Sequence, residues 1–164
     1  MNSYDNVIVV GVDDSAPSRA AIRWAADYAR ATGCRIEAIH VLAWPPAAEI
    51  YAYSVVADEI YPSADHLDER YRTPSQTVFD EVDPEPDWRL QFGQGHAGRI
   101  LVEQSRTARL LVVGAREHRG VGRLLNGSVG HYCLKHAACP VVAVPADGSS
   151  PVASVDVRET VPVD

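Results

Sequence analysis

Apolar and polar positions along this chain predict strands that alternate with helices. Short β-branched apolar runs, typical of strands buried on both faces, recur along the sequence. Between them lie segments with apolar residues at helical spacing, such as Ile22, Ala25, Ala26 and Ala29 in the first. The predicted strands are 6–12, 35–42, 87–92, 110–113 and 140–144, and the later helices are 74–82, 96–107 and 128–136.

Local end signals support several of these boundaries. Residues 13–18 (DDSAPS) have the composition of a helix start, and Gly33 suits the left-handed residue that ends a helix. Thr73 followed by Pro74 predicts another helix start. The segment 43–86 is otherwise interrupted by prolines, which predicts a long loop and short helices.

This alternation favours an open parallel α/β sheet with helices on both faces. Ligands of such sheets bind outside the carboxyl ends of the strands. We expect one domain over residues 1–146, followed by a polar, acidic tail over 147–164. A weak alternation of valines in the tail leaves its order open, and a disordered extension is the simpler alternative.

The composition argues against nucleic acid and membranes as partners of this chain. The net charge is −7 and the fifteen basic residues are scattered, so we expect no nucleic-acid partner. No apolar run reaches the roughly 18 residues of a membrane span, and the first five residues do not resemble a leader. These features predict a cytoplasmic protein without a membrane partner.

The cysteines do not predict a disulfide framework or a metal site. Cys34, Cys133 and Cys139 are odd in number and lie beside apolar segments, so we expect reduced thiols. His131 and Cys133 begin a mixed His/Cys stretch that resembles a metal cluster. Because two residues on a helix separate side chains by about 200°, we expect no metal site there.

The most specific chemistry lies where the fourth predicted strand meets the fourth helix. The apolar run 110–113 leads into Gly114, a residue that tolerates positive φ, and Ser128 then suits a helix N-cap. A strand, a glycine-containing loop and a helix start direct free backbone N–H groups toward one point, where an anion can bind. The alternative is that glycine serves the local geometry alone.

The spacing of this loop resembles the nucleotide-binding signature of the universal stress protein family, G-x2-G-x9-G-S/T. Gly114 matches its first glycine, and Gly127-Ser128 matches its end, whereas Glu117 occupies the position of the second glycine. Similar matches run through residues 5–145, including Val9-Val10-Gly11-Val12-Asp13-x-Ser15 near the start and Cys139-Pro140-Val141-Val142 near the end.

The resemblance implies a Rossmann-like fold of the adenine nucleotide alpha hydrolase-like kind, with strand order 3-2-1-4-5. It also implies an adenine contact at Asp13, ribose against Gly114, and phosphates at the amides around Ser128. A carboxylate can accept from an amino edge or a hydroxyl. Alternatively, Asp13 or Ser15 caps the first helix, which is compatible with binding. The expected nucleotide contacts are Val12, Asp13, Ser15, Val41, Gly114, Arg116, Gly127, Ser128 and Val129.

Glu117 places a negative charge near the expected phosphates. Like charges about 4 Å apart repel by about 1 kcal/mol in water and about 4 kcal/mol at an effective dielectric of 20. Arg116, His118, Arg119 or Arg123 could pair with this carboxylate or reach the phosphates, and Mg²⁺ could bridge it to them. A solvated surface side chain is the other interpretation. We expect nucleotide to bind in the micromolar range or more weakly.

The predicted function is a stress-response regulatory module that binds ATP, ADP or AMP. The resemblance further implies a homodimer that pairs its last strands, because an exposed edge at 140–144 needs cover. We expect no enzyme, since the phosphate loop G-x4-G-K-S/T is lacking and the sole lysine is Lys135. A slow ATPase and a nucleotide-free dimeric scaffold are the alternatives.

Overall fold

Six strands of one sheet are described in the computed structural model, which covers residues 6–42, 64–115, 128–146 and 152–154. They are β1 (Val7–Gly11), β2 (Arg35–Leu42), β3 (Arg89–Gln94), β4 (Leu110–Ala115), β5 (Val141–Pro145) and β6 (Val152–Ser154). Their spatial order is β3-β2-β1-β4-β5-β6. Strands β1 to β5 pair in parallel, which confirms the predicted five-stranded order 3-2-1-4-5.

Helices cover both faces of the sheet. They are α1 (Ala16–Thr32), α2 (Ala64–Asp80), α3 (Ala97–Gln104), which continues into a 3₁₀ turn, and α4 (Ser128–His136). Because successive strand residues point to opposite faces, Ile8 packs in the core beneath α1 and α2, and Val9 in the core beneath α3 and α4. No helix in these ranges is long and apolar enough to cross a membrane.

The unit β1-α1-β2 follows its sequence signals closely. Ser15 is the N-cap of α1, and its hydroxyl accepts a hydrogen bond from the Ser18 N–H. Gly33 ends the helix in the left-handed conformation with φ 69°, and Cys34 N donates to Ala29 O. Each boundary here therefore depends on neighbouring residues, which is why the pattern predicted them to within a few positions.

Helix α2 differs from the prediction of a helix over 74–82. It begins at Ala64 and contains Pro74 in its interior, although proline lacks an N–H and disfavours helix interiors. Val78 and Phe79 are buried against the sheet, and the Thr77 hydroxyl donates to Thr73 O. Tertiary packing thus outweighs the local preference for proline at a helix start.

The edges of the sheet also differ from expectation. Strand β3 lies two residues later than predicted, because Gly93 pairs with Val41 of β2 and belongs to the strand. Residues 152–154, in the predicted tail, form β6 and pair antiparallel with β5 from Val141 to Ala143. The expected exposed edge at 140–144 is therefore wrong for these residues, since the chain covers it itself.

Candidate functional site

A cavity of about 170 Å³ opens at the carboxyl edge of the sheet between β1 and β4. Val10 pairs in parallel with Val112, so the residues that follow the two strands lie side by side. This is the position at which open α/β sheets bind ligands. The described lining residues are Gly11, Val12, Asp13, Ser15, Pro17, Ser18, Ile39, Val41, Ala97, Leu101, Val113, Gly114, Ser128, Val129 and Gly130.

The first corner of the cavity, residues 12–18, is held by hydrogen bonds. Ser15 N donates to Asp13 Oδ1 over 2.9 Å, and Asp13 N donates to Ser18 Oγ over 2.8 Å. Ser18 is buried, with 4% of its surface exposed. These bonds fix the direction of the Asp13 side chain and leave its Oδ2 without a hydrogen-bond partner among the described residues.

The second corner, Gly114 with residues 128–130, is held by close packing. Gly114 lies inside β4 and does not have a positive φ, so the expected reason for glycine here is wrong. A Cβ on Gly114 would lie 2.7 Å from the backbone carbon of Pro17, closer than atoms can approach. Glycine is needed because the first turn of α1 packs directly on β4.

Three helices begin at the cavity. The first turns of α1, α3 and α4 supply lining residues, among them Pro17, Ala97 and Ser128. His96 caps α3 through its Nδ1, which accepts from Arg99 N. The amino end of a helix carries free N–H groups and the positive end of its dipole. The cavity can therefore stabilise an anion. Among its described lining residues, Asp13 is the one with a charged side chain.

The structure brings seven of the nine predicted contacts to this one cavity; Arg116 and Gly127, like Glu117, lie outside the described residues. The seven are Val12, Asp13, Ser15, Val41, Gly114, Ser128 and Val129. Ser128 was expected as an N-cap and is instead the first residue of α4. The structure thus places the two sequence motifs face to face.

Eight lining residues were not among the predicted contacts: Gly11, Pro17, Ser18, Ile39, Ala97, Leu101, Val113 and Gly130. Leu101 is 2% exposed and belongs to the core beneath α3. Its apolar position in the sequence therefore predicts burial but not contact with a ligand. Ser18 offered a detectable signal, since a hydroxyl three residues after an N-cap serine lies on the turn that enters the helix.

The three cysteines are not among the described lining residues. Cys34, Cys133 and Cys139 are free thiols. Burial raises the pKa of Cys133 to about 12 and that of Cys139 to about 11. Within the described ranges, three or more His, Cys, Asp or Glu side chains do not come together as a metal site would require.

The sheet and its carboxyl-edge cavity define an α/β protein of the Rossmann-like class. A model of the universal stress protein family matches residues 6–145, and the chain belongs to that family. A universal stress protein of Mycolicibacterium smegmatis is 33% identical over 147 residues, which cover 85% of this chain and 48% of that protein. The chain spans about half the length of the curated relatives it matches.

Solved structures share the fold. A universal stress protein in complex with cAMP superposes with a TM-score of 0.56 at 23% identity, covering 86% of this chain and 97% of that one. The universal stress protein of Archaeoglobus fulgidus in complex with dAMP has a TM-score of 0.54 at 20% identity, covering 84% and 95%. At these identities the likeness establishes the architecture, an adenine nucleotide alpha hydrolase-like fold.

Proposed function

We propose that this chain binds an adenine nucleotide, ATP, ADP or AMP, in the carboxyl-edge cavity and acts as a regulatory module in a stress response. The observation that carries the proposal is the meeting of the Asp13 carboxylate with the amino ends of α1, α3 and α4. Family members of the same fold in complex with cAMP and dAMP support it.

The two corners suit the two ends of a nucleotide. Asp13 Oδ2 can accept from an amino group or a ribose hydroxyl. Strand β2 continues three residues past its last pair with β1, Ile39 opposite Gly11, so Val41 lies where a base edge can meet strand backbone. The amides at the start of α4 suit phosphate oxygens, since only donors bind them well.

The size of the cavity indicates which part of the ligand it encloses. At about 170 Å³ it lies below the roughly 300 Å³ at which pockets enclose a drug-sized ligand. We expect it to hold the base and part of the ribose, with the phosphates directed along the start of α4. The charge near the phosphates then determines whether ATP or AMP binds more tightly, and Mg²⁺ would reduce the difference.

We propose a binding module without catalysis. The described lining contains neither lysine nor histidine, and Asp13 is already engaged with Ser15 N. Isothermal titration with ATP, ADP and AMP, with and without Mg²⁺, should give saturable binding in the micromolar range or weaker. Timed incubation should leave ATP intact, whereas product formation would indicate an ATPase. No heat at millimolar ligand would overturn the proposal and favour a nucleotide-free scaffold.

The proposed assembly is a cytoplasmic homodimer. Since β6 covers β5 over Val141–Ala143, pairing between copies would have to use the outer edge of β6 or displace it. Sedimentation velocity of the full chain and of a form ending at Ala146 tests this directly. A dimer only in the full chain indicates pairing through the outer edge of β6, and a dimer only after truncation indicates that β6 blocks the β5 edge. Monomers in both forms would overturn the proposed homodimer.

A further inference from the structure

One peptide group at the mouth of the cavity is held at both ends by side chains. The carbonyl of Val12 lies 2.9 Å from His40 Nδ1, and the amide of the same peptide, Asp13 N, donates to Ser18 Oγ over 2.8 Å. Val12 N in turn donates to Ile39 O. A peptide group is planar, so bonds at its two ends fix its rotation about the chain.

The contact with Val12 determines where His40 carries its proton. A carbonyl oxygen only accepts, so Nδ1 must be the protonated nitrogen in this contact. The Ser75 hydroxyl oxygen lies 2.7 Å from the same nitrogen, so it shares this N–H with Val12 O as a second acceptor, and Ser75 is 1% exposed on α2. The imidazole also packs against the Phe92 ring, with 5.9 Å between ring centroids. Three elements therefore hold the ring in one orientation.

We propose that His40 is a positioning residue of the cavity, which holds the Val12–Asp13 peptide for ligand binding and connects it to α2 through Ser75. The proposal rests on the proposed nucleotide function. His40 does not line the cavity, whereas Val12 and Asp13 do, so it acts through the peptide that it holds.

The direction of Asp13 explains why this peptide matters. The Asp13 carboxylate is fixed to the following turn through Ser15 N, so rotation of the preceding peptide would tilt the whole turn. Without the His40 donor, the carbonyl of Val12 would lose its bond at a residue that is 4% exposed. A buried carbonyl without a donor is unfavourable, and rotation toward water would relieve it.

Two substitutions of His40 separate hydrogen bonding from volume. His40→Asn places an N–H donor the same number of bonds from Cβ as Nδ1, whereas His40→Leu fills the space without a donor. We expect the Leu variant to bind AMP about tenfold more weakly in isothermal titration, and the Asn variant to stay within about threefold of the unchanged chain. Equal affinities for all three proteins, or equal losses in both variants, would overturn the proposal.

A second readout does not need the ligand. Amide hydrogen exchange of Asp13, followed by NMR, should accelerate at least about tenfold in His40→Leu and remain near its original rate in His40→Asn. If the unchanged chain binds no AMP, the proposed function fails, yet this exchange rate still decides whether His40 holds the peptide. Unchanged exchange in the Leu variant would refute the positioning role by itself.

Ser75→Ala covers the case in which His40→Leu does not fold. It leaves His40 in place and removes only the hydroxyl contributed by α2. We expect a loss of AMP affinity of roughly twofold to fivefold, because the imidazole loses its contact with α2 and with it part of its fixed orientation. Gln76→Ala, at the exposed neighbour on the same helix, is the matched control and should leave the affinity unchanged. Equal affinities of the two variants would contradict the connection to α2.

Discussion

The two corners of the cavity are held by different forces. The first corner, residues 12–18, depends on directional hydrogen bonds that orient Asp13 through Ser15 and Ser18. The second corner, Gly114 with residues 128–130, depends on the close approach of Pro17 to β4. Hydrogen bonds determine where a group points, whereas packing determines whether two elements can meet.

This difference predicts different consequences of mutation. A substitution that removes the charge at the first corner but keeps the side-chain shape should reduce ligand affinity. The fold should remain nearly as stable. Added volume at Gly114, where Pro17 packs on β4, should instead reduce the free energy of unfolding, because a packed interface cannot absorb it.

The largest effect is expected from Gly114→Ala. Its Cβ would collide with the Pro17 backbone, which cannot rotate away as a side chain could. We expect the free energy of unfolding to fall by about 3 kcal/mol in urea denaturation. Gly130→Ala is the control, because the nearest atoms to its Cβ lie at 3.8 and 3.9 Å and alanine favours a helix. Similar losses in both variants would contradict a steric role specific to Gly114.

Asp13→Asn should separate affinity from stability. Its amide oxygen can still accept from Ser15 N, so the free energy of unfolding should change by less than about 0.5 kcal/mol. Loss of the charge should weaken AMP binding about tenfold in isothermal titration. Asp14→Asn makes the same change of charge at an exposed neighbour outside the lining, and we expect it to bind as before. Matching affinities of the two variants would place the ligand elsewhere.

Ser15→Ala tests how much the first corner contributes to folding. Removing the N-cap hydroxyl should lower the free energy of unfolding by about 1 kcal/mol, since Ser18 N loses its acceptor. Ser15→Asp retains an acceptor and should recover most of that loss. If Ser15→Asp is as unstable as Ser15→Ala, capping does not hold this corner.

The smallest effect concerns Cys133, which packs in the core beneath α4. Burial raises the pKa of its thiol to about 12 from the ordinary value of 9.0, so only the unfolded chain ionises it between those values. Stability should therefore fall as pH rises above 9, by about 1 kcal/mol at pH 10. Urea denaturation at pH 8 and pH 10 measures this decrease in the free energy of unfolding. We expect it to be smaller in Cys133→Ala than in the unchanged chain. An equal decrease in the variant and the unchanged chain would show that ionisable groups other than Cys133 cause it.

Local signals account for what the sequence predicted well. The cap at Ser15 and the left-handed Gly33 involve residues within a few positions of each other, and the β1-α1-β2 unit matches its prediction. The juxtaposition of Asp13 and Gly114 was also predictable, because the carboxyl ends of neighbouring parallel strands meet at one edge of a sheet.

Contacts between distant residues account for what it did not predict. The reason for glycine at position 114 is Pro17, which lies almost a hundred positions earlier along the chain. Ser75 lies in the predicted helix, but its contact with His40 of β2, 35 positions earlier along the chain, depends on how the helix packs on the sheet. His40 itself was visible as a polar residue within an apolar strand, but its partners were not.

Backbone NMR of the chain titrated with AMP tests the central claim most directly. The account predicts saturable shifts in the amide signals of Asp13, Gly114 and Val129, which lie at the two corners of one cavity. Signals from the separate groove lined by Gly33 and Trp88 should remain in place. Shifts confined to that groove, or no shifts at millimolar AMP, would contradict nucleotide binding at the carboxyl-edge cavity.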